Sequence, residues 1–182
     1  MNAPPELPAL PPGRVRKVLR APAVGLGVLS LAVDPVDPDV VALAADLVAT
    51  QLASPGCVGL AATQVGEAKR VFSLDVTAHP RARTSHGRFV LANPVLVSAS
   101  RWEKGREGCL SVPDFTGDVK RATRVVVTGQ VPGTGAEVTI ETDAFEARAV
   151  QHEVDHLDGV LLLERTDDES RREALATLRK TI

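Results

Sequence analysis

Residues 152–156 read His-Glu-Val-Asp-His, within Ala144-Phe-Glu-Ala-Arg-Ala-Val-Gln-His-Glu-Val-Asp-His-Leu157. The stretch holds no Gly or Pro, and Thr142-Asp143 before it is a cap signal, so a helix is predicted from there to about Leu157. Four residues on a helix advance about 400°, which puts both imidazoles on one face, one turn apart. That geometry suits two nitrogen ligands on a single cation. Glu153, next to the first histidine, can reach a water on that cation.

A third ligand decides the class of site. An H-E-x-x-H-x-x-G-x-x-H extension fails, because Gly159 fits but Leu162 stands at the last histidine position. A thermolysin-like arrangement needs a downstream carboxylate on a second helix. Glu164, Glu169 and Glu173 are present, but none sits in a persuasive context. The remaining candidate is upstream: Cys109 in Glu107-Gly-Cys-Leu-Ser111. A thiolate is a strong ligand for a divalent transition metal.

Further out, Asp34-Pro-Val-Asp-Pro-Asp is a cap signal followed by Val40, Leu43, Ala44, Leu47, Val48 and Leu52 at helical spacing. A helix is predicted over 38–53. The small residues of Cys57-Val-Gly-Leu-Ala-Ala-Thr-Gln-Val-Gly66 suggest tight backbone packing rather than a regular element. Strands are predicted over 70–76, 88–91, 95–98, 124–130 and 137–141, with 160–163 as a further short strand. Residues 79–87 read as a polar loop. Residues 167–180 read as a charged terminal helix with Leu175 and Leu178 on its buried side. Several strands with segregated helices and no second core predict one α+β domain.

The chain has 182 residues, 44% hydrophobic and 24% charged, with a formal net charge of -2. No basic excess argues for nucleic acid, and no apolar run approaches the roughly 20 residues of a membrane span. The two cysteines do not call for a disulfide. Residues 1–13, with five prolines, read as a flexible lead-in, leaving 14–182 as the catalytic domain. Nothing there resembles a signal peptide, so a bacterial cytoplasmic location is expected.

Three stretches, Cys57-Val-Gly-Leu-Ala-Ala-Thr-Gln64, Glu107-Gly-Cys-Leu-Ser111 and His152-Glu-Val-Asp-His156, resemble in order the three motifs of the peptide deformylases. The resemblance covers about Val24 to Leu163. It implies a single compact α+β domain with antiparallel or mixed sheets packed around the central H-E-x-x-H helix, and removal of the formyl group from the N-terminal formyl-methionine of new polypeptides. It implies one divalent metal on Cys109, His152 and His156, usually Fe(II), with zinc, nickel or cobalt able to substitute, and a water whose pKa that metal lowers. Glu153 would be general base and then general acid. The Gln64 amide and the Leu110 backbone N–H would form the oxyanion hole. Val58, Gly59, Glu107, Gly108 and Phe145 are the expected substrate-binding residues, with Glu107 also expected to orient the site. Asp155 and Asp158 either orient a ligand histidine or are solvated. Two departures stand out: Cys57, where many members have Gly, and Thr116, where many have an Arg that meets the substrate chain. N-formylmethionyl peptides are the expected partners, and a contact with the ribosome near the nascent chain is an expectation that truncating 167–182 tests. A zinc peptidase and a catalytically silent peptide-binding homologue are the competing readings.

Overall fold

The 38–53 helix forms where its spacing predicts, as α1, Pro38–Ala53. The Asp37 carboxylate accepts from the Asp39 amide at 2.8 Å, and Pro38 takes the first turn, where its missing N–H costs nothing. The computed structural model describes residues 8–181, with side chains to 176. The first seven residues of the expected lead-in therefore lie outside the described ones.

Five strands follow in one antiparallel sheet of order β1-β2-β3-β4-β5. They are β1 Gly59–Ala61, β2 Val71–Leu74, β3 Phe89–Cys109, β4 Val112–Gln130 and β5 Glu137–Asp143. The second long helix is α2, Ala144–Leu157, and two more, α3 Leu162–Arg165 and α4 Asp168–Thr181, close the described chain. The α+β class is as expected. The sheet's period-two alternation decides which helix each face meets. Phe72, Leu74, Phe89 and Leu91 pack with Ala147, Val150, Val154 and Leu157 of α2. Val71, Val90 and Ala92 point the other way and pack with Val40, Leu43, Ala44 and Leu47 of α1. The metal-motif helix is thus held against the sheet by its apolar side.

Several expectations need correction. The strands predicted at 88–91 and 95–98 are one strand, β3, broken by register shifts at Ala92/Val95 and Leu96/Ser98. β3 and β4 form a long ribbon whose outer part was not predicted. Residues 98–104 are exposed throughout, so no buried face announces a strand, and backbone pairing alone defines it. The expected strand at 160–163 is instead a turn into α3, because the Leu161 amide donates to Glu164 Oε1 at 3.0 Å and starts a helical turn. In α4 it is Ala174, not Leu175, that packs inward: Leu175 is 42% exposed. The Leu178 side chain lies outside the described ones.

The 79–87 loop is polar as predicted, but it is pinned to α2. The His86 amide donates to Glu146 Oε1 at 2.9 Å, the His86 ring pairs with Glu146 Oε2 at 2.7 Å, and the Thr142 hydroxyl donates to that same oxygen at 2.6 Å. All three residues are buried. This anchors the loop carrying His79 and Arg81 beside the N-terminal half of α2.

Candidate metal centre

α2 presents Arg148, His152 and His156 at intervals of four, so they share one face. Opposite them, β3 ends at Cys109, and Leu110-Ser111 make the two-residue turn into β4. The ligand atoms of Cys109, His152 and His156 lie within 4.8 Å of one another. His156 Nε2 is 3.2 Å from Cys109 Sγ. His152 Nδ1 is 3.0 Å from Glu107 Oε2, which leaves Nε2 of that ring facing the cluster. Burial disfavours the Cys109 thiolate, but the imidazoles of His156 and His152 outweigh it and hold the thiol well below its ordinary value. A thiolate and two imidazoles with one ring already oriented by a carboxylate is a donor set that fits a divalent transition metal. No carboxylate belongs to this cluster among the described residues, and Glu164, the downstream candidate, is exposed and caps Leu161.

Glu153 lies beside the ligands, 3% exposed, and its Oε2 has no hydrogen-bond partner. An unsatisfied buried carboxylate oxygen is costly unless a ligand, water or reacting group meets it. Burial pushes Glu153 up to about 7, against the pull of the His152 and His156 rings. Gly59 makes room for it: a Cβ there would stand 2.5 Å from Glu153 Oε1.

Gln64 is fixed at both ends of its amide. Its Oε1 accepts from the Ala61 N–H at 3.0 Å, and its Nε2 donates to Ser111 Oγ at 3.1 Å and to Cys109 Sγ at 3.7 Å. The donor face therefore points at the metal cluster. The Leu110 N–H, in the turn beyond Cys109, falls outside the β3–β4 ladder.

Glu107 is buried and joins three groups. Arg121 meets it through two nitrogens, Nε to Oε1 at 3.0 Å and Nη2 to Oε2 at 3.1 Å. Arg148 Nη1 donates to Oε1 at 2.7 Å, and His152 completes the set. Burial would raise the Glu107 pKa, but His152 and Arg121 reverse this and hold it at about 2. Asp155 orients no ligand histidine: it binds Arg121 and Arg165. Asp158 pairs with Arg70 at 2.7 Å.

The cluster opens into a cleft of about 430 Å³, lined in part by Val58, Gly59, Gly108, Leu110 and Phe145. All five were expected at the site. Phe145 stacks on His79 with ring centroids 3.8 Å apart. Cys57 also lines the cleft, and its Sγ–H donates to the Gly59 carbonyl at 3.1 Å. Burial, with the Glu153 charge, pushes that thiol up to about 12, so it is a packed hydrogen-bonded thiol rather than a reactive one. Sequence reading missed Arg121, Arg148 and Gly105. Arg148 had a signal, its four-residue spacing from His152. Gly105 had none, because its role is to leave space: a Cβ there would stand 2.7 Å from Arg148 Nη2.

The family model for polypeptide deformylase matches residues 15–172. A peptide deformylase of Symbiobacterium thermophilum is 38% identical over 152 residues, spanning 83% of this chain and 66% of that one. The crystal structure of a peptide deformylase from Ehrlichia chaffeensis in complex with actinonin superposes with a TM-score of 0.83 at 32% identity, covering 92% of this chain and 98% of that one. A Met-Ala-Ser-bound class I type b peptide deformylase from Acinetobacter baumannii gives 0.76 at 36% identity, covering 83% and 98%.

Proposed function

Because the chain belongs to the polypeptide deformylase family, we propose that it hydrolyses the formyl group from N-terminal formyl-methionine on newly made polypeptides. The observation that carries this is a buried carboxylate with a free oxygen, Glu153, set beside a Cys-His-His donor set. Cys109, His152 and His156 would hold one divalent cation, Fe(II) by resemblance, which when bound supplies Lewis acidity at the formyl carbonyl.

The remaining chemistry belongs to the chain. Glu153 takes a proton from the attacking water and returns it to the leaving amine. Gln64 Nε2 and the Leu110 N–H donate to the oxyanion that forms when the formyl carbon becomes tetrahedral. Gln64 is already fixed by Ala61 and Ser111, so it needs no reorganisation as that charge develops. Val58 and the His79–Phe145 stack form the apolar wall for the methionine side chain. No helix among the described residues is long and apolar enough to cross a membrane. A cytoplasmic location and a ribosome contact through α4 are parts of this proposal that rest on the resemblance.

The test is formate release from formyl-Met-Ala-Ser by protein prepared anaerobically with Fe(II). We expect turnover that a chelator abolishes and Fe(II) or Co(II) restores. A filled site without turnover overturns the reading. The silent-homologue alternative predicts that same null result together with retained binding of the peptide.

Gly59→Ala gives a sharper check on Glu153. The added Cβ must displace that buried side chain from its Cγ outward, which costs packing as well as proton-transfer geometry. We expect kcat to fall by about 10- to 100-fold with metal content unchanged and a lowered thermal midpoint. Equal kcat values for the two proteins would show that Glu153 works from another position.

A further inference from the structure

The cleft's mouth carries a charge pattern that the chemistry of deformylation does not use. Arg20, Arg81 and Arg106 line it, and none has a carboxylate within ion-pair distance among the described residues. The acidic side chains lining the same cleft are Glu107, Glu153 and Asp114. Glu107 is already neutralised by Arg121 and Arg148, and Glu153 is buried at the reacting centre. Only Asp114 is exposed among them. Asp118 stands opposite Arg106 in the β3–β4 register but makes no ion pair with it, so even with Asp118 and Asp114 counted the three arginines leave an excess of positive charge at this opening.

Two of these guanidiniums are held in place. Arg106 Nε donates to Thr116 Oγ1 across the β3–β4 ribbon at 3.0 Å, which leaves both terminal nitrogens free. Arg81 Nη1 donates to the Arg106 carbonyl at 3.3 Å, and its Cζ lies 4.8 Å from the centroid of the Phe145 ring. A guanidinium over an aromatic face keeps its charge and loses rotamer freedom in advance. Both are therefore preorganised donors with unused N–H groups, which suit carboxylates.

The reach is right. Arg106 precedes Cys109 by three residues on an extended strand, about 10 Å. An extended peptide whose formyl carbon sits at the metal cluster places its second and third residues at about that distance.

Resting on the deformylase reading, we propose that Arg106 and Arg81 form a carboxylate-reading subsite that favours formyl-Met substrates with Asp or Glu at the second and third residues. Arg20 borders both this cleft and a neighbouring cavity that Lys17 also lines, while Arg16 there is neutralised by Asp46 and Glu67.

The experiment compares formyl-Met-Asp-Glu-amide with formyl-Met-Ala-Ala-amide and formyl-Met-Lys-Lys-amide on the metal-loaded protein. The amidated ends remove the terminal carboxylate as a competing source of charge. At low salt the acidic peptide should have a kcat/KM about three- to tenfold above the neutral one, with the basic peptide lowest, the size that two exposed ion pairs give. The preference should shrink toward one in about 0.5 M NaCl. In Arg81→Gln/Arg106→Gln the acidic-to-neutral ratio should fall to about one, while Arg106→Lys should keep most of it. A wild-type ratio near one, or a ratio that the double substitution does not change, overturns the subsite. Affinities of the unformylated peptides Met-Asp-Glu-amide and Met-Ala-Ala-amide for the zinc-loaded protein give the same ratio without turnover. The subsite therefore stands or falls separately from deformylation itself.

Discussion

Glu153→Gln should all but abolish turnover and leave the metal in place. The substitution keeps the shape of the side chain, so the packing beside Gly59 and the buried position survive. It removes the one property the proposed chemistry needs, an oxygen that accepts a proton and gives it back. General acid–base groups are worth about 10²- to 10⁴-fold, and here one group serves two proton transfers, so kcat should fall by about 10³-fold or more. Metal content should not follow it, because the ligand atoms belong to Cys109, His152 and His156. The paired readout is formate release beside metal analysis of the same preparation. Were Glu153 instead a ligand or a structural support, metal content or thermal midpoint would drop with activity. Its unpaired Oε2 argues against support: a carboxylate serving only the fold would have a partner, as Glu107 and Glu146 do.

The parts of this site that sequence reading reaches are those whose chemistry is carried by neighbours along the chain. His152, Glu153 and His156 are one helical turn, so their relation follows from the pitch of a helix. α1 was legible for the same reason, down to its cap at Asp37 and its end at Ala53. What sequence reading missed depends on partners far apart in the chain. The outer ribbon of β3 and β4 has no buried face between 98 and 104, and only its pairing, Trp102 with Ala122 or Lys104 with Lys120, makes it a strand. Leu175 looked buried by type, but the helix turns Ala174 inward. Glu107 was placed at the site by its motif, yet its partners Arg121 and Arg148 come from β4 and α2 and carry no motif of their own. The open question of what orients a ligand histidine had two aspartates as candidates. Glu107, expected to orient the site, is the carboxylate that holds His152, because Asp155 faces Arg121 and Arg165 and Asp158 faces Arg70.

Glu107→Ala should therefore cost both stability and metal. Removing this carboxylate leaves Arg121 and Arg148 buried with less compensating charge, which for a broken buried pair costs about 3–5 kcal/mol. Arg121 keeps Asp155, and Arg148 keeps the carbonyls of Glu103 and Val119, so the loss should sit toward the lower end of that range. His152 loses the acceptor that fixes its ring, and such a partner is worth about 10- to 100-fold in metal affinity. Chemical denaturation of the metal-free protein isolates the first effect, because no cation is then present to stabilise the folded state. Competition with a chelator at a temperature where the variant is folded isolates the second. Glu107→Gln separates the two further, since it keeps an amide oxygen able to accept from His152 Nδ1 while removing the charge that Arg121 and Arg148 meet. It should recover much of the metal affinity and less of the stability. If instead Glu107→Ala lowers stability while metal affinity stays unchanged, the packing of α2 against the sheet orients the His152 ring unaided. The role of Glu107 then reduces to compensating two buried cations.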